Sequence, residues 1–102
     1  MYRYIFNTSG NYVAFISNNN LFNPNADWIG FIRNGNEVYS SQGCSFIGYV
    51  SSDDRIVRRH NELPKIKPFK PFTPFRPFKP FTPFKRLHMP RLAHPWFDVF
   101  DN

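Results

Sequence analysis

The chain has 102 residues and a formal charge of +6, which sets a ceiling of one small domain plus a tail. One cysteine excludes an internal disulfide and suits a reducing compartment. The longest apolar run, Trp28 to Ile32, is far too short for a membrane-spanning helix, and the N-terminus lacks the apolar run of a signal peptide, so the expected location is cytoplasmic, with a peripheral membrane position open.

Taken in order, the first sixty residues read as a repeat. Short runs at Ile5 (IFN), Leu21 (LFN) and Val38 (VYS) each precede a longer one, Tyr12–Ile16 (YVAFI), Trp28–Ile32 (WIGFI) and Phe46–Val50 (FIGYV), and a fourth short run begins at Ile56; the longer runs recur every 16 to 18 residues. Runs this short, rich in β-branched and aromatic residues, predict strands. The segments between them are turn-like: Gly10 and Gly43 lie in two, Asn34-Gly35 is a hairpin signal, and SNNN and SSDD are polar. Consecutive hairpins at a fixed period predict an all-β fold over 1–60, a meander closed into a small, roughly symmetric barrel without exposed edges.

Strict alternation puts Tyr12, Ala14 and Ile16 on one face and Val13 and Phe15 on the other, with the same pattern in the next two units. Both faces are therefore apolar, and a marginal sixty-residue core needs an outside cover, from the tail or from another copy. The small residues Ala14, Gly30 and Gly48 mark a close approach, either a crowded barrel axis or a ligand pocket there.

These hairpin units, with the glycine–aromatic–β-branched–small–aromatic pattern at Gly10–Phe15, resemble the four-fold β-flower family. So do the proline triplets of the tail and the ending HPWFDVFDN (His94–Asn102). That family comprises short bacterial proteins, and the resemblance implies a shallow, square, four-fold pseudo-symmetric barrel of petal-like hairpins. It carries no established activity and supplies no catalytic residues. The chain departs from the pattern at Asn25-Ala26, where other units have Gly, and in the fourth unit, which has no evident second strand.

Residues 61–87 are organised differently. Proline at every third position from Pro68 to Pro83 excludes helix and sheet and predicts polyproline II, three residues per turn. A period-three sequence on a three-fold helix makes three stripes. One is all proline. The second holds Phe69, Phe72, Phe75, Phe78, Phe81 and Phe84, the candidate binding residues. The third is basic, and with Arg86 it gives candidate polyanion-binding residues Lys67, Lys70, Arg76, Lys79 and Lys85. Charge follows this division: residues 1–60 carry a net +1 and residues 61–102 a net +5, with no acid between Glu62 and Asp98. At ~3.1 Å per residue a straight rod from Pro68 to Lys85 would span roughly 55 Å, more than the width of the head.

Burying each Phe gains about 1.5–3 kcal/mol, and proline lowers the ordering cost that would cancel it. Docking of the Phe stripe is therefore expected, on the chain's own barrel or on a neighbouring subunit. An acidic membrane surface is the alternative, since Phe enters the interface while Lys and Arg meet acidic lipid; the tract also resembles cationic proline-rich antimicrobial peptides. Single-stranded nucleic acid fits poorly, because Phe residues recur every ~9 Å along the rod and stacked bases every ~3.4 Å. PxxP matches for an SH3-type domain arise in any period-three proline tract and are unspecific. Residues 88–102 form a last segment, in which Trp96, Phe97 and Phe100 read as an anchor, with Asp98 and Asp101 placed to pair with basic residues.

No constellation for catalysis is legible. Cys44 has no basic neighbour and reads as an inert thiol. His60, His88 and His94 lack metal-ligand spacing. Asp53-Asp54 sit in a polar turn and are expected either to cap the loop or to pair with Arg55 and Arg58 at the surface, rather than converge on a cleft; no phosphate-binding Gly-rich loop is present. The expectation is a non-enzymatic binding or assembly protein without metal or cofactor, a small ligand carrier with an axial pocket being the remaining reading.

Overall fold

The runs of β-branched and aromatic residues become strands. In the computed structural model, which describes residues 2–101, these are β1 (Arg3–Phe6), β2 (Tyr12–Ser17), β3 (Asn20–Phe22), β4 (Trp28–Arg33), β5 (Glu37–Ser40), β6 (Phe46–Val50), β7 (Ile56–Arg59) and β8 (Trp96–Asp98). All neighbours pair antiparallel in chain order, as one eight-stranded sheet. The molecule measures 36 × 35 × 21 Å, a shallow square.

Turn chemistry explains the connections. Asn34 and Gly35 take φ 53° and 84°, and Asn18 and Asn19 take 51° and 62°. Two successive positive φ values define the hairpin turn that matches strand twist, and Asn and Gly adopt them most readily. Asn25-Ala26, where the glycine is missing, forms the same turn as the first unit. Asn7 N–H donates to Asn11 O and Gly10 N–H to Asn7 O; Asn23 N–H donates to Asp27 O and Ala26 N–H to Asn23 O. Ala26 takes φ 67° where Gly10 takes 88°.

Both faces of the sheet are apolar, but they differ in kind. The aliphatic face gathers Ile5, Ala14, Leu21, Ile32, Val38 and Ile56 into one core. The opposite face is aromatic, with Phe15 and Phe22 at one side and Phe31 and Tyr39 at the other. Strict alternation fails at one place in each of the first three units. A bulge after Ile5, Leu21 and Val38 brings Phe6 opposite Tyr12, Phe22 opposite Trp28 and Tyr39 opposite Phe46. The extra residue lets two consecutive side chains leave the regular alternation. Tyr12, Trp28 and Phe46 therefore join the aromatic clusters, while Val13, Ile29 and Ile47 pack against the aliphatic core. This corrects the expected sharing of a face by Tyr12 and Ala14.

The second strand of the fourth unit comes from the far end of the chain. β8 pairs with β7 through Val57–Asp98, Arg58–Phe97 and Arg59–Trp96, so the sheet does not end at residue 60 as expected. Closure is also looser than a full barrel. The sheet curls so that β1 reaches the β6–β7 turn, but among the described residues no ladder joins β1 to β8. The seam is held instead by Phe6 N–H donating to Asp54 O (2.8 Å), by the Arg3–Asp54 ion pair (2.8 Å), and by Asp98. Its buried carboxylate accepts from Thr8 N–H (2.7 Å), Thr8 Oγ1 (2.8 Å) and Phe100 N–H (2.9 Å).

Candidate functional site

Residues 60–95, between β7 and β8, contain neither helix nor strand. The segment runs back along the barrel. Lys65 pairs with Glu37 of β5 (3.5 Å) and lies over the rings of Phe46 and Tyr49. Further on, Arg33 donates to Phe69 O (3.4 Å), and Lys70 sits 5.6 Å from the Trp28 ring centre. Arg76 then bridges Asp27 (2.8 Å) and the Asn25 carbonyl (2.6 Å) in the β3–β4 turn. The Tyr2 hydroxyl donates to Phe78 O (3.0 Å). Finally Arg86 covers the Phe6 ring at 4.0 Å and pairs with Asp54 (2.9 Å). Its N–H donates to Gly10 O, and Met89 N–H to Thr8 O. The chain thus visits the third, second and first hairpin units before delivering β8 to the fourth. It bends to do so, because a ~55 Å straight rod does not fit within the 36 Å extent.

One glycine makes the crossing possible. A Cβ on Gly10 would overlap the carbonyl oxygen of Arg86 and lie 2.7 Å from its carbon. The corresponding position of the second unit, Ala26, carries a Cβ and is buried against Phe15 and Phe22.

Burial along this belt repeats every third residue. Pro68, Pro71, Pro74, Pro77, Pro80 and Pro83 are half-buried, and their neighbours are exposed. The proline stripe is turned to the barrel. The six candidate phenylalanines point away from it, 92–99% exposed, so the expectation that the Phe stripe docks on the chain's own barrel is corrected. The contacts that hold the belt are polar: Tyr2 and Arg33 donate to the carbonyls of Phe78 and Phe69, while Lys65, Arg76 and Arg86 reach the acids Glu37, Asp27 and Asp54.

Of the candidate polyanion-binding residues, Arg76 and Arg86 are thus committed to barrel carboxylates and Lys70 to an aromatic ring. Lys67, Lys79 and Lys85 are exposed and, among the described residues, make no ion pair. Asp27 is held below the usual carboxylate range, first by the Asn23 amide and then by Arg76. Glu37 is likewise lowered, first by Asn34, then by Tyr39 and Lys65.

The anchor residues lie in the fold rather than outside it. Trp96 is half-buried, with the Arg59 guanidinium 5.4 Å from its ring and Tyr49 beside it. Phe97 stacks on His60 at 4.5 Å, and Phe100 packs on the aliphatic core. Asp98 bonds to Thr8, not to the basic residue expected. Asp53 pairs with Arg55, as the sequence suggested, whereas Arg58 donates to Phe46 O.

The close approaches at Gly30 and Gly48 are to backbone. A Cβ there would lie 2.6 Å from the carbonyl oxygens of Tyr39 and Val57, and Ala14 is buried in the aliphatic core. Strand crowding accounts for these small residues. Clefts among the described residues lie elsewhere: an open groove of about 560 Å³ beside His60, His94 and Trp96, and another under the belt, between Tyr2, Phe22 and Pro74–Phe78. His60 and His94 stack at 6.1 Å, and among the described residues no group of three potential metal ligands gathers. Cys44 is buried against Phe31 and Tyr39. Burial, then the neighbouring Tyr4, pushes the Tyr12 hydroxyl up to about 12; this hydroxyl is buried without a hydrogen-bond partner.

Four hairpin units around one aliphatic core, in a shallow square, agree with a family comparison. A model of the 4-fold beta flower protein matches residues 4–97. The chain belongs to the 4-fold beta flower family. The match takes in the belt and most of β8, so the beta flower here includes its fourth petal's distant strand. No curated protein and no solved structure matches the chain.

Proposed function

We propose that this beta flower is a non-enzymatic binding and assembly protein, in which the barrel is a frame and the tail a polyproline II belt displaying a Phe ridge to a partner surface. The observation that carries the reading is the opposite fate of neighbouring residues: each proline is turned to the barrel while the Phe after it is 92–99% exposed. Six exposed rings follow one another at a fixed period as an apolar row, and exposed apolar surface on this scale marks an interaction site. The frame makes display economical. Holding the belt by its prolines and flanking cations orders the ridge before binding, so less conformational entropy is lost on docking.

Sedimentation of the full chain with and without neutral detergent micelles tests this. The wild type is expected to self-associate or to bind micelles, and F69S/F75S/F81S to do neither. A wild-type monomer indifferent to micelles, or a triple variant that associates as well as the wild type, would overturn the proposal.

A further inference from the structure

The partner that best fits the ridge is an anionic lipid surface. We infer that the beta flower sits on such a surface with its Phe ridge in the interfacial layer and Lys67, Lys79 and Lys85 against acidic headgroups. The inference rests on the binding role proposed above and names its partner.

Three observations lead there. The first is the direction of the ridge. The same stripe of three stays turned inward from Pro68 to Pro83, so the Phe side chains leave the belt on the same flank throughout. On a molecule 36 × 35 × 21 Å, a ridge kept to one flank lets a flat surface meet several rings at once. Aromatic rings beside cationic chains are the composition that binds the headgroup boundary.

The second is charge. Among the described residues, Asp27, Glu37, Asp53, Asp54 and Glu62 already hold cations of the same chain, and Asp98 is taken by Thr8. Lys67, Lys79 and Lys85 lie on the stripe beside the rings and have no such partner, so the belt presents unneutralised positive charge next to the ridge. An acidic leaflet complements it.

The third concerns the competing occupant, a second copy. Among the described residues the exposed large apolar side chains all lie between Leu63 and Leu87, so the most apolar surface that another copy offers is its own ridge. Ridge on ridge would bring free lysines of both chains together, which like-charge repulsion opposes.

The test is co-sedimentation of the full chain with phosphatidylserine–phosphatidylcholine vesicles and with phosphatidylcholine vesicles. Each lysine beside an acidic surface favours binding about five-fold, so K67Q/K79Q/K85Q is expected to lose about 100-fold in partition to the acidic vesicles. F69S/F75S/F81S is expected to release the protein altogether, and high salt to weaken wild-type binding by screening. Circular dichroism and urea unfolding of both variants should match the wild type, since neither set of side chains is buried in the barrel. Equal binding to neutral and acidic vesicles would overturn the role of the lysines. Ridge-dependent self-association or micelle binding without vesicle binding would overturn the lipid partner and leave the binding role standing. Loss of neither on removing the three rings would end both.

Discussion

Replacing Gly10 by Ala is expected to lift the belt from the barrel where it crosses the β1–β2 turn. Gly10 has φ +88°, so Ala meets the left-handed strain of about 1 kcal/mol there. Gly35, at φ +84°, meets the same strain but has nothing near its Cβ position. The difference between G10A and G35A therefore isolates the crossing. At Gly10 the new methyl displaces Arg86, and with it go the Arg86 N–H bond to Gly10 O, the Met89 N–H bond to Thr8 O and the Arg86–Asp54 pair. At about 0.5–1.5 kcal/mol for each hydrogen bond and less than about 1 kcal/mol for the partly exposed ion pair, G10A should cost about 1–3 kcal/mol more than G35A. Urea unfolding followed by tryptophan fluorescence measures the difference, and amide exchange at Arg86 and Met89 locates it. Equal destabilisation by the two variants, with both amides as protected as in the wild type, would refute the reasoning.

Asp98→Ala leaves Thr8 and Phe100 N–H groups without their acceptor at the seam and is expected to cost about 2–4 kcal/mol in urea unfolding, with exchange protection of β8 lost first. Acid should loosen the belt. Carboxyl groups lowered in the fold stabilise it above the ordinary carboxylate range of about 4 and lose that contribution as pH falls through their lowered values. Asp27 and Glu37 are both lowered, so their contribution is complete at neutral pH and lost in acid. In R76Q the NMR titration midpoint of Asp27 should rise but stay below its ordinary value, because the Asn23 amide is the larger cause.

Much of the fold was legible because it is written locally. β-branched and aromatic runs at a fixed period name the strands, and Asn34-Gly35 names a turn whose φ values only such residues adopt easily. The bulges were not legible, since YVAFI reads as plain alternation whichever residue is skipped; the side-chain pattern is the same until a partner strand fixes the register. Nor was β8, three residues long and separated from β7 by the whole belt. Its one signal was aromatic character: Trp96 begins it as Tyr12, Trp28 and Phe46 begin or nearly begin the second strands of the other petals. In the tail, the period of three announced three stripes but not which one turns inward. Hydrophobicity favours Phe. The structure turns proline inward, with Tyr2 and Arg33 donating to belt carbonyls and with Arg76 and Arg86 meeting Asp27 and Asp54.

The central claim is that the barrel holds the belt by its prolines and leaves the phenylalanines for another surface. Paramagnetic broadening of Phe ring signals by a water-soluble gadolinium chelate tests it most directly. In the free protein the rings of Phe69 to Phe84 should broaden strongly while those of Phe15 and Phe31 do not, and acidic vesicles should protect the tail rings. Tail rings already shielded in the free protein, or still broadened with the protein on vesicles, would contradict it.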